Sequence, residues 1–460
     1  MFILLVGLFL WIGSNGQMCR HEAECHRVYY IDSGTGDDDF DGKTERTPWR
    51  TLNKTGSVLL YPGDSLRFKR GSKFTGMLRI TGSGNARKYI TLTDYGDPGV
   101  PAPSFTNRTF DPERGMFGNC IRLEGSYIKV ENLYCHHTLA QLPSTTGGFM
   151  TMWQLGAIHV SGSAEHCIIR NNEICDCGAG IRSNGRHTLI EYNYIHDCNR
   201  ILKEWNWGPI GIWLGADNQE IAHNRIFNYS VVDPRITWGP ESYGGGADGG
   251  AIEIDDARND KSHITIHHNQ TRDCQGFLEV TGKDVRGKAN YRDFSIHHNV
   301  SDDYQQFIAL WRGAGCRIEH NTIIRRKVNV NEWGVFNITQ YDSKNMVRNN
   351  IVVTENGVVI FNVGRKMNAK PETIIENNLY FAACGTLEMG LEGPGEKPVF
   401  GDPEFLDYNG NGDSENFSIT WGSPAIDAGK DLGYHKDFSG RVTVDGEKPD
   451  IGAWEYIPDR

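Results

Sequence analysis

The sequence predicts an all-β chain wound as a parallel β-solenoid with loop insertions on one face. Three observations carry the prediction. An Asn recurs with an apolar residue three positions before it, the closest copies lying 21 and 22 residues apart, a spacing that marks stacked coils of short strands. Only 38% of the 460 residues are hydrophobic while Gly reaches 54, which suits many short strands joined by turns better than a helical bundle. The strands that follow the insertions also fall into one register. A chain of this length would otherwise hold two or three ordinary domains, whereas a solenoid reaches it as one.

Taken in order, Met1 to Ile12 is almost wholly apolar and is followed by Ser14-Asn15-Gly16, a small-x-small pattern. This reads as a secretory leader cleaved after Gly16, placing the mature chain outside the cell or in a periplasm. No other stretch is long enough to span a membrane. Cys19 and Cys25 are spaced to close a small loop in an oxidising compartment. Val28 to Ile31 reads as the first strand. The loop from Asp32 to Lys43 carries Asp37, Asp38, Asp39 and Asp41, either as a solvated acidic loop or as hard oxygen ligands for Ca²⁺. Turns and short strands continue through Pro62-Gly63-Asp64, Phe74 to Ile80 and Tyr89 to Leu92. Residues 17–126 are thus read as a cap with the first coils, 127–385 as the repeat and 386–460 as a C-terminal extension. The net charge is −11, which argues against a nucleic-acid partner, since such a protein normally shows a basic stripe.

The repeat reads Ile169 with Asn172, Ile190 with Asn193, Ile221 with Asn224, Ile266 with Asn269, Ile296 with Asn299, Ile318 with Asn321, Val347 with Asn350 and Ile375 with Asn378. Val130 with Asn132 is a first copy one residue short. The Asn side chains are expected to stack their amides along a corner, and the aliphatic residues to stack inward. Cys177, Cys198 and Cys274 each fall five after their Asn, which points to a buried cysteine ladder; no CxxC pair supports zinc. The pairs His267-His268 and His297-His298 invite a reading as ligands, but they precede corner Asn residues on a different strand from the acids and are read as structural, one ring buried or hydrogen-bonded and the other exposed.

This Asn-corner repeat, with the opening from Tyr29-Tyr30-Ile31 through Pro62-Gly63-Asp64 to Tyr95-Gly96, resembles the right-handed parallel β-helix proteins of polysaccharide breakdown, the pectate lyase and polygalacturonase type. Ser423-Pro424-Ala425-Ile426-Asp427-Ala428-Gly429 and Asp450 to Glu455 resemble the end of many secreted members. The resemblance implies a right-handed parallel β-helix and a polysaccharide or oligosaccharide partner, and implies no particular reaction, because the same helix carries hydrolases, lyases, epimerases and adhesins. The Gly-His-Gly and Arg-x-Lys elements of polygalacturonases are not assembled around Asp255-Asp256, so the sub-family is unassigned. A monomer is expected of a solenoid with covered ends.

The longer intervals between Asn corners must leave the coil as loops, at Thr138 to Leu155, Arg200 to Pro209, Tyr229 to Gly250 and Gly282 to Arg292. They carry Trp153, Trp205, Trp207, Trp238 and Tyr243, rings on which sugars can stack. Strands beginning Ala157, Gly180, Gly211, Ala251, Phe277 and Phe307 align so that their second and fourth residues point in and their third and fifth point out. The expected result is one exposed sheet bearing His159, Arg182, Trp213, Glu253, Asp255, Glu279 and Trp311, with Arg312 just beyond. Two acids on the short run Gly249 to Asp256 are unusual, because carboxylates are poor strand formers.

A glycoside hydrolase would use Asp255 as general acid and Glu253 or Glu279 as base or nucleophile, with His159, Arg182, Trp213, Tyr243, Trp311 and Arg312 binding sugar and no cofactor required. A polysaccharide lyase would need Ca²⁺ against a uronate carboxylate, held by Asp255, Asp256 and Asp260 with Glu253 and Glu279, and a base from Lys283, Lys203, Arg182 or His159. A carbohydrate-binding solenoid without catalysis is the third reading.

Overall fold

The computed structural model describes residues 26–138, 154–198, 207–230, 248–255, 259–281, 290–311, 313–325, 334–338, 344–355, 357–362, 372–390, 392–410, 413–442 and 446–458. The leader, Cys19 and Cys25 lie outside them. Three long parallel sheets run the length of the molecule, two of 12 strands and one of 11, each strand pairing with its counterpart one coil away. The fold is the right-handed parallel β-helix. Coil strands begin at Val28–Ile31 and extend to Val399–Phe400, and the helix Leu52–Gly56 is held at its start by Thr51, whose side chain accepts from the Lys54 amide.

Inward positions of the first sheet form the row Val130, Ile169, Ile190, Ile221, Ile266, Ile296, Ile318, Val347 and Ile375. All are buried, and burying each such side chain is worth about 1.5–3 kcal/mol. Ile158, Ile181, Ile212, Ile252, Leu278 and Ile308 form the matching row of the third sheet. Phe277 stacks on Phe307 with centroids 4.6 Å apart, extending the core by aromatic overlap.

The corner between the first and second sheets is an unbroken amide tape. Asn172 Nδ2 donates to Asn193 Oδ1 at 3.1 Å, and the pattern repeats through Asn224, Asn269, Asn299, Asn321 and Asn350 to Asn378 at 2.9–3.1 Å. Each oxygen also accepts the backbone N–H of the preceding Asn. The residue before each corner Asn has a positive φ, between 50° and 56°, as at His223, His268, His298 and His320. Asn132 takes this strained position itself (φ 64°), and the Leu133 amide donates to Asn172 Oδ1, which explains why the first copy is one residue short.

Cys177, Cys198 and Cys274 are all buried, as the ladder requires. The Cys274 thiol donates to the Ile226 carbonyl at 3.2 Å, and burial pushes its pKa well up. In the early acidic loop, Asp38 accepts from the Arg50 and Thr51 amides and the Thr51 hydroxyl, and Asp41 accepts from the Lys43 amide and the Thr47 hydroxyl. These carboxylates serve the local backbone.

Beyond Phe400 the chain turns back over the outside of the second sheet. Ile419, Ala425 and Ile451 pack on Ile351, Val353 and Leu379, while Phe417, Ala453 and Trp454 pack on Val300 and Ile324.

Candidate active site

The third sheet carries one outward row in strict register: Arg79, Arg122, His159, Arg182, Trp213, Glu253, Glu279, Ala309 and Asn337. The predicted members His159, Arg182, Trp213, Glu253 and Glu279 are thus brought together on neighbouring coils, about 4.8 Å apart at the backbone. The row is polarised along the helix axis, basic at its start and acidic after Trp213. Arg79 and Arg122 were missed by the sequence alignment because their strands, Leu78–Ile80 and Ile121–Leu123, precede the first recognisable repeat.

The expected exposed floor is corrected on one point. His159, Arg182, Trp213, Glu253 and Glu279 are all buried, with relative exposures of 0–5%. Long side chains at this pitch cover one another. The Arg182 guanidinium lies 4.3 Å from the centre of the Trp213 ring, and its Nε donates to Asn184 Oδ1 at 2.8 Å. Trp213 therefore presents its face to a cation within the protein and is not an open sugar platform. Gly215 makes room for this arrangement, since a Cβ there would stand 2.2 Å from Asn184 Oδ1 and 2.8 Å from Arg182 Nη2.

His159 Nδ1 donates to the Leu155 carbonyl at 3.1 Å. A carbonyl only accepts, so Nδ1 carries the proton and Nε2 holds a lone pair. Burial first, and then Arg122, drive its pKa down to about 3, so the ring is neutral across the physiological range.

Asp255 sits on the parallel row formed by the strands' fifth residues, its amide donating to Leu214 O at 3.0 Å, and it remains half-buried. Its row neighbours are Gly215 before and Thr281 after, both small, with Trp311 one coil further. The Trp311 indole N–H donates to Glu279 Oε1 at 3.1 Å. Indole has no acceptor, so that carboxylate oxygen is fixed as a hydrogen-bond acceptor. The strand itself runs Asp248–Ile254, beginning one residue before the Gly249 to Asp256 stretch that the sequence singles out.

Asp256, Tyr243 and Arg312 lie outside the described residues, as do Trp153, Trp205, Trp238, Lys203 and Lys283. Asp260 is exposed, and its Oδ1 accepts from the Asn290 amide at 2.8 Å. Among the described residues, the groups of His, Cys, Asp and Glu that converge closely enough to hold a metal ion are His223 with His267 and His268, and Cys175 with His196 and Asp197. Neither includes Asp255, Asp260, Glu253 or Glu279.

Residues 114–323 match the family model described as the right handed beta helix region. A lacto-N-biosidase of Bifidobacterium longum subsp. longum is 41% identical over 321 residues, a match covering 64% of this chain and 18% of that protein. The chain therefore spans about a fifth of the curated relative's length. The crystal structure of pectate lyase Pel9A superposes with a TM-score of 0.55 at 13% identity, covering 93% of this chain and 96% of that one. XylC in complex with xylose gives 0.54 at 14% identity, covering 94% and 98%. These two structural likenesses establish the parallel β-helix fold. No described helix is long and apolar enough to cross a membrane.

Proposed function

We propose that this chain is a secreted glycoside hydrolase that cleaves a glycosidic bond in a polysaccharide or oligosaccharide through the carboxylates of the third sheet. The observation that carries the reading is the meeting of Glu253 and Glu279 as register partners, with Asp255 on the adjoining row between two small neighbours. The 41% identity to a lacto-N-biosidase supports a glycosidase and makes lacto-N-biosides the first substrates to test.

Roles follow from the surroundings of each acid. Glu279, whose Oε1 accepts from an indole, is suited to act as a base, a nucleophile or a stabiliser of developing positive charge. Asp255 is the predicted acid that stays partly open to solvent, and it is suited to protonate the leaving oxygen. Two carboxyl groups with these separate tasks are what either glycosidase geometry requires. Glu253 is buried between Trp213 and Glu279 on the same row, where it backs the partly open Asp255. Arg182 and His159, both fully covered, form the basic end of the same row and support it from within.

The test is turnover of lacto-N-biosides and of neutral and uronate-containing polysaccharides, following reducing ends and the ultraviolet absorbance of unsaturated uronate, with and without chelator. New reducing ends without absorbance are expected. Asp255→Asn and Glu279→Gln should each lower kcat by at least a hundredfold, of the order that general acid–base catalysis contributes, with substrate still bound; Asp248→Asn and Glu253→Gln complete the strand's acids. Absorbance abolished by chelation would replace the hydrolase with a calcium-dependent lyase. Wild-type turnover in both the Asp255 and Glu279 variants would overturn the site.

A further inference from the structure

We infer that His223, His267 and His268 form a binding site for a divalent transition-metal ion of the zinc type, at the corner opposite the carboxylate row and independent of the glycosidase reading. The ring nitrogens that these three residues offer lie within 4.8 Å of one another. His267 Nδ1 and His268 Nδ1 face each other at 2.8 Å.

The outer nitrogens fix the tautomers. His268 Nε2 lies 2.9 Å from the Asp437 carbonyl, and His267 Nε2 lies 3.1 Å from Glu220 Oε1. Carbonyl and carboxylate oxygens only accept, so each Nε2 carries a proton and both inner Nδ1 atoms are left as lone pairs. Two lone pairs at this separation need a positive centre between them. An outer N–H held by a carboxylate or carbonyl is also the arrangement that orients histidines on a metal and raises their basicity.

The 2.8 Å between the two Nδ1 atoms is slightly closer than an ion would hold them, and a small outward swing of the rings would admit one. Metal–nitrogen bonds of about 2.0–2.1 Å, with angles between right and tetrahedral, separate two ligand nitrogens by about 2.9–3.4 Å. His223 supplies the third donor. Its ring stacks on Tyr192 and sits 4.9 Å from the His268 ring, and its nitrogens hydrogen-bond to no described residue. A cavity of about 410 Å³, lined by Tyr192, His223, Arg225, His268, Glu415 and Phe438, opens beside the His223 and His268 rings and leaves space for water on the remaining coordination positions.

The next coil provides an internal comparison. His297 Nδ1 and His298 Nδ1 meet at 3.0 Å in the same backbone setting, but Tyr434 lies over His297 at 4.6 Å. The close histidine pair therefore belongs to the repeat, and a third ring stacks there too, His268 on His298 at 5.3 Å; what the coil of His267 adds is the convergence of three ring nitrogens with a cavity beside His223 and His268. Imidazole donors suit zinc, nickel, copper and cobalt over calcium or magnesium. Because His268 is anchored on Asp437, the ion would clip two coils to the C-terminal extension.

The experiment uses the full chain stripped by chelator and titrated with Co²⁺ as a spectroscopic probe, then with Zn²⁺ by calorimetry. One equivalent of Co²⁺ should produce a visible d–d band that Zn²⁺ bleaches. His223→Asn should weaken binding at least tenfold; Asn is chosen because Asn171, Asn349 and Asn377 hold the same corner position with positive φ in other coils. His267→Ala, which copies Ala222 one coil earlier, should abolish binding. His297→Asn should leave it unchanged. Absence of a one-to-one Co²⁺ complex, or wild-type affinity in both His223→Asn and His267→Ala, would overturn the site and leave the close Nδ1 pair as a contact sharing a proton.

Discussion

His159 and His320 are buried as neutral rings, and this sets how the protein responds to acid. Burial is the largest cause for both, lowering His159 to about 3 beside Arg122 and Arg182, and His320 to about 4 with Arg348 adding to the effect. Both values lie below the ordinary 6.5, so the unfolded chain binds more protons than the folded one between these limits. Stability from these residues is present in full above about pH 6.5 and is lost as pH falls toward 4 and 3, by on the order of a few kcal/mol per residue. The urea midpoint should fall between pH 7 and 5, and the double variant His159→Gln with His320→Gln should flatten that slope. A wild-type midpoint that does not move over this range would show that the rings charge freely in the folded state.

At the scale of the element, the Asn tape makes one side chain serve two coils. Asn299 Oδ1 accepts both the Asn269 side-chain amide and the Asn269 backbone N–H, and its own Nδ2 donates to Ile266 O. Asn299→Ala leaves three buried polar groups short of a partner. At about 1–3 kcal/mol for each unsatisfied group, a loss of at least 3 kcal/mol in equilibrium unfolding is expected, whereas a loss under 1 kcal/mol would mean that water replaces the amide. The tape was legible in the sequence because an apolar residue three before an Asn is a local pattern that survives any loop between copies. The register of the carboxylate row was legible for the same reason, since Ile252 and Ile254 fix which way Glu253 and Asp255 point. Burial of that row was not, because covering depends on contacts such as Arg182 on Trp213, between residues 31 apart in sequence. The pair His267-His268 was visible in the sequence but His223 as its third member was not, since His223 and His268 become neighbours only through an interval of 45 residues.

For the whole molecule, the extension beyond Phe400 acts as an outer wall for the second sheet. Ile351, Val352 and Val353 are all buried, Val352 toward the interior and its neighbours toward Ile419, Ala425 and Ile451. An unbroken apolar run is what a strand covered on both faces shows, and here the cover comes from the chain's own end, tied down where Gly452 N donates to Asn349 O at 2.8 Å and Ala453 N to Thr322 Oγ1 at 3.0 Å. Deleting residues 401–460 should expose this apolar face, and the truncated chain should associate or bind a hydrophobic dye that the full chain ignores. A monomeric, dye-silent truncation would show that the wall is dispensable. The amide tape has a further meaning for how such a molecule can change. Every joint along it is the same joint, Asn to Asn, so a coil such as the 22 residues from Asn299 to Asn321 has the same plug at one end as socket at the other. A duplicated or deleted coil would rejoin without a new interface, and the protein's length is therefore a quantity that inheritance can alter in whole steps, the carboxylate row keeping its geometry wherever the altered coil lies beyond the partners of Glu253 and Glu279.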